Sequence, residues 1–87
     1  MLLNEQFQLV QVADEFLAVP VGDAASSAKV IVLNEATAYL LEQMKSPKTV
    51  DELVVLLTDE YEVDAATARK DIEEALGKLL ENGVISE

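Results

Sequence analysis

The apolar positions along this chain change period once, near residue 34. Before that point, Phe7-Gln8-Leu9-Val10-Gln11-Val12-Ala13 alternates in part, Phe16 to Val21 is apolar throughout, and Ala28 to Leu33 ends in the unbroken run Val30-Ile31-Val32-Leu33. Short, β-branched runs of this kind predict strands. Asp14-Glu15 is a polar break of hairpin length, and Gly22 to Ser27 is a loop of small residues. The expected arrangement is an antiparallel meander of strands at 7–13, 16–21 and 28–33 in the order 1-2-3. Pro20 cannot donate to a ladder, which predicts a frayed end there. A run that is apolar at every position, as Val30 to Leu33 is, implies cover on both faces.

After residue 33 the period becomes helical. Asn34 is an N-cap residue followed by Glu35, and Ala36, Leu40, Leu41 and Met44 recur on one face until Ser46-Pro47 stops the helix. Thr49-Val50-Asp51-Glu52 has the spacing of a capping box and opens a second helix with Leu53, Leu56, Leu57 and Tyr61 on its apolar side. Asp64 caps a third, whose stripe is Ala68, Ile72, Ala75, Leu76 and Leu79; Asn82-Gly83 stops it. Val84-Ile85 is a short apolar tail expected to pack back on the core. The pattern predicts one α+β domain over 1–87: a three-stranded antiparallel sheet (1–33), then a three-helix bundle with the tail (34–87). A chain of this length buries roughly 60–65% of its unfolded surface, enough for one core.

Composition narrows the chemistry. The chain has no Cys and no His. That removes disulfides, thiolate and imidazole metal ligands, and Ser-His or Cys-His nucleophiles. No catalytic group, metal or cofactor is expected, and the Asp59–Asp64 stretch lacks the glycine and ligand spacing of a calcium loop. No stretch approaches the ~20 apolar residues of a membrane span, and the N-terminus does not resemble a secretion signal, so a cytoplasmic location is expected. Seventeen acidic against six basic residues give a net charge of −11. This opposes contact with nucleic acid and anionic lipid and fits either a basic partner or a self-repelling soluble surface.

The order β-β-β-α-α-α resembles a winged helix, a fold often used on DNA. The third helix, however, sets Asp71, Glu73, Glu74 and Glu81 against Arg69, Lys70 and Lys78, a poor composition for reading phosphates. The wording is more specific than the order. "VPVG" (19–22), "LNEATAYLLEQM" (33–44), "TVDELVVLLTDEYEVD" (49–64) and "ARKDIEEALGKLLENGVI" (68–85) together resemble the PqqD family over nearly the whole chain.

That resemblance implies a RiPP recognition element: a non-catalytic module that binds the leader segment of a ribosomally made precursor peptide and presents it to a radical-SAM or other peptide-modifying enzyme. It also implies that the leader adds as a strand to the third strand, beside the third helix. The residues agree with such a role. In a 1-2-3 meander the third strand has one unpaired edge, an aggregation hazard unless something occupies it. Lys29, Val30, Ile31 and Val32 would supply backbone pairing. Either Val30 and Val32, or Lys29, Ile31 and Leu33, would face the helices. On the third helix, Asp71, Ala75 and Lys78 form one flank and Arg69, Glu73 and Leu80 the other. The first flank is the expected groove wall, because Ala75 leaves room for a peptide side chain where the family often has a larger one. A second copy could occupy the same edge, so a monomer or weak homodimer is expected.

Overall fold

The computed structural model describes residues 1–87 and shows a winged-helix-like α+β fold. Its strands are β1 (Leu2–Leu3), β2 (Phe7–Val12), β3 (Glu15–Pro20), β4 (Ile31–Leu33) and β5 (Ile85–Ser86), and its helices are α1 (Glu35–Gln43), α2 (Val50–Glu60) and α3 (Ala65–Glu81). A one-turn-scale 3-10 segment, Gly22–Ser26, fills the loop between β3 and β4. The main sheet is antiparallel in the order β2-β3-β4. No helix is long and apolar enough to cross a membrane.

The hairpin turns one residue earlier than the sequence suggests. Val12 pairs with Glu15, so the two-residue loop is Ala13-Asp14, with Ala13 in the left-handed region at φ 54°. This register puts Leu9 opposite Ala18 and Phe7 opposite Pro20. A loop at Asp14-Glu15 would have moved Pro20 inside the ladder. Instead it forms the last rung, buried rather than frayed, and Val21 N–H donates to Gln6 O at 2.7 Å just beyond it.

The same proline shortens the third strand of the sheet. β4 pairs as Leu33 with Phe16, Val32 with Leu17 and Ile31 with Ala18. Extending that register would set Lys29 against Pro20, which has no N–H to give. Lys29 and Val30 therefore lie outside the ladder, contrary to the strand expected from Ala28. The apolar run is also covered on one face only. Leu33 is buried and Ile31 half-buried, whereas Val30 and Val32 point outward at 53% and 68% exposure. The rungs place Val32 in a row with Leu17 and Val10 on the outer face of the sheet.

The helices start where their caps stand. Asn34 Oδ1 accepts from Thr37 N–H at 2.7 Å. In the capping box, Thr49 N–H donates to Glu52 Oε1 at 2.9 Å and Glu52 N–H to Thr49 Oγ1 at 3.1 Å. Asp64 Oδ1 accepts from Thr67 N–H at 2.8 Å. α3 ends in a Schellman motif: Gly83 at φ 74° donates to Leu80 O, and Val84 N–H donates to Leu79 O at 2.9 Å. That turn aims Val84 and Ile85 into the core, as expected of the tail, and Ile85 pairs with Leu3 in a second, two-stranded sheet. The core joins Phe7, Ala18 and Leu33 of the main sheet to Leu40, Leu41, Leu53, Leu57, Ile72, Leu76 and Leu79 of the helices.

The caps make stability depend on pH. Hydrogen bonds from Thr67 hold the Asp64 carboxyl below its ordinary 3.8, and those from Thr49 hold Glu52 below its ordinary 4.5. Both folded values are depressed, so this stabilisation is complete above the ordinary values and is lost as pH falls through the lower folded ones. The urea midpoint should fall between about pH 5 and pH 3. Asp64→Asn keeps a good cap without the titration, so its midpoint should fall less steeply over the same range.

Candidate functional site

β4 is an edge strand, and α3 does not close against it. Between them lies a groove of about 430 Å³. Its sheet side is Ile31, Val32 and Leu33; its helix side is Asp71, Glu74, Ala75, Lys78 and Asn82; and Ala36, Thr37 and Leu40 at the start of α1, with Leu57 and Leu79, form its base. The unpaired N–H and C=O groups of β4 lie along this opening, since β3 occupies its other side.

The structure brings Ile31, Val32, Asp71, Ala75 and Lys78 together across the groove. Lys29 and Val30 do not line it. The opposite flank of α3 faces elsewhere: Arg69 pairs with Asp51 at the start of α2, while Glu73 and Leu80 are away from the groove. Asp71 and Lys78 are exposed and Ala75 half-buried, so the wall has a low apolar step between charged rims. Neither Asp71, Glu74 nor Lys78 belongs to an ion pair within the chain, whose two ion pairs are Lys45–Glu42 and Arg69–Asp51.

Sequence reasoning missed Glu74, Asn82, Asn34 and Thr37. Glu74 and Asn82 complete a stripe at 71, 74, 75, 78 and 82 whose helical spacing was readable once the facing flank was chosen. Asn34 registered only as a cap and Thr37 not at all; the N–H of Thr37 meets the Asn34 side chain at that cap, at the groove's base. With no group of three or more carboxylates close enough to hold a metal ion, the site is one of apolar surface, backbone hydrogen-bonding groups and unpaired charges.

The family described as Coenzyme PQQ synthesis protein D (PqqD) matches residues 21–85. Among solved structures, TbiB1 in complex with the TbiA(beta) leader peptide superposes with a TM-score of 0.79 at 17% identity, covering 100% of both chains. Lasso peptide synthetase B1 complexed with the leader peptide gives a TM-score of 0.78 at 22% identity, covering 98% of this chain and 95% of that one. At these identities the likeness is one of fold. No curated protein matches the sequence significantly.

Proposed function

Because the chain belongs to the PqqD family, matched over residues 21–85, we propose that its groove binds the leader segment of a ribosomally made precursor peptide and presents that peptide to a separate modifying enzyme. The observation that carries this reading is the unpaired edge of β4 opening onto a groove walled by α3. An extended peptide added there gains main-chain hydrogen bonds from β4, and alternate side chains point into the groove, which gives selectivity. The two solved structures of the same fold are both leader-peptide complexes. The apolar step at Ala75 suits an apolar leader side chain, and Asp71 and Glu74 favour a basic neighbour.

The module itself performs no bond-making step in this reading. It raises the concentration of the precursor at an enzyme of the radical-SAM or another maturation class. In the absence of peptide a second copy could pair with the same edge, opposed by the net charge of −11 on each chain, so the free protein is a monomer or a weak homodimer in this reading.

An amide-shift titration with synthetic leader peptides of ribosomally made precursors tests the proposal. Shifts should cluster at 28–33 and 68–82. Shifts centred on the exposed side of α2 would overturn it. Strand addition also predicts a period of two in the peptide. Replacing single leader amides by esters should weaken binding by about 2- to 10-fold at every second position, the worth of one net hydrogen bond, with smaller effects between. A flat profile in calorimetry would exclude β4 pairing.

A further inference from the structure

A second cavity, also of about 430 Å³, lies across α1 from the groove. Leu9 and Phe16 from the inner face of β2 and β3 form one wall, and Tyr39 on α1 and Tyr61 after α2 form the other. The two tyrosine rings meet edge to face, with centroids 5.9 Å apart and planes at 79°, so they make an aromatic corner rather than a flat stack. The Tyr39 hydroxyl donates to Leu56 O at 3.4 Å, which helps hold that ring.

The rim of this corner carries Glu35, Glu42 and Glu60, and no Lys or Arg lines it. Glu42 pairs at 2.9 Å with Lys45, which lies just past the end of α1; Glu35 and Glu60 are in no ion pair. Burial first, then the charges of Glu35 and Glu60, push the Tyr61 phenol up; burial, then Glu60 and Asp59, do the same for Tyr39. Both rings therefore stay neutral and sit in a negative field. Aromatic faces attract a cation through their quadrupole, and unpaired carboxylates beside them add to that attraction. The helical period of α1 separates the two sites: Glu35, Ala38, Tyr39 and Glu42 face the corner, and Ala36, Thr37 and Leu40 face the groove.

We propose that the Tyr39–Tyr61 corner is a second binding site, which takes an arginine or lysine side chain of the enzyme that receives the peptide. One observation selects that source over the leader, and the net charge of the chain is in keeping with it. A strand on β4 occupies the opposite flank of α1 and leaves the corner open. The chain's net charge of −11 favours a partner with a basic surface. The identity of the partner rests on the leader-presentation reading; the preference of the corner for a cation does not.

The test has two arms. In the first, the full chain with labelled tyrosine and phenylalanine rings is titrated with methylguanidinium chloride, with sodium chloride and methylurea as controls. Saturable shifts at Tyr39, Tyr61 and Phe16 are expected with methylguanidinium alone. Glu60→Gln should weaken this binding by about two- to five-fold, Tyr61→Phe should retain it, and Glu73→Gln, which removes an equal charge elsewhere, should leave it unchanged. Equal shifts with sodium chloride or methylurea would overturn the site. In the second arm, leader affinity and the affinity of the leader-loaded chain for the modifying enzyme are measured separately. Glu60→Gln should lower the second and leave the first unchanged. Movement of the Tyr39 and Tyr61 rings by leader alone would overturn the assignment to the enzyme. Failure of leader to bind the groove would refute the proposed function while leaving the first arm's result intact.

Discussion

Ala75→Trp should leave a folded protein that no longer binds the leader. Ala75 is half-buried on the groove face of α3, between the exposed Asp71 and Lys78, and its small side chain is what leaves space opposite Ile31. An indole there projects into the opening rather than into the core, whose stripe on this helix is Ala68, Ile72, Leu76 and Leu79. It would occupy the volume that a leader side chain needs and keep the incoming backbone off β4, so anchor burial and strand pairing fail together. The expected loss is at least about 100-fold in affinity, close to 2.7 kcal/mol, with a thermal midpoint near that of the unmodified chain. Calorimetry gives the first quantity and circular dichroism the second. By contrast, Asp71→Ala or Lys78→Ala should change affinity only several-fold, because exposed ion pairs contribute about 0–1 kcal/mol. Retained tight binding in Ala75→Trp would place the peptide outside the groove.

Three residues earlier on the same helix the expectation reverses. Ile72 is fully buried. Ile72→Ala removes buried apolar surface and leaves a cavity beneath α3, for a loss of about 2–5 kcal/mol. A chain of 87 residues has a total stability of only about 4–13 kcal/mol at ~0.05–0.15 kcal/mol per residue, so the urea midpoint should drop sharply and the protein should approach partial unfolding. Ile72→Val, costing about 0.5–1.5 kcal/mol, should fall between. Under conditions where the Ile72→Val variant is folded, its leader affinity should match the parent, since Ile72 does not line the groove. The two positions thus separate binding from stability along one helix.

What the sequence disclosed divides along the range of the interactions. The three helices were readable because their determinants are local: Asn34, Thr49 and Asp64 each bond a backbone N–H three residues on. The order of the sheet followed from the short connections between strands, whereas periodicity allowed either flank of α3 to face the groove, and the flank at 71, 75 and 78 was preferred over that at 69, 73 and 80 for the small side chain of Ala75. The length of β4 could not be read, because it depends on which residue of β3 stands opposite Lys29, and that register is set across the Gly22–Ser26 connection, whose small residues carry no pattern that fixes it. The outward exposure of Val30 and Val32 has the same origin. Pairing of Leu2–Leu3 with Ile85–Ser86 joins opposite ends of the chain through strands too short to carry a pattern.

That last pairing has a practical consequence. Leu2 stands opposite Ser86, and Asn4 Nδ2 donates to Gly83 O at 2.9 Å, so the chain enters and leaves the fold at one place. To a host protein the domain would behave as a loop whose ends are one strand spacing apart, about 5 Å. Closely spaced strands of this kind are the geometry at which insertion into a surface turn is best tolerated. A peptide captured on β4 would then be carried by that host's own scaffold.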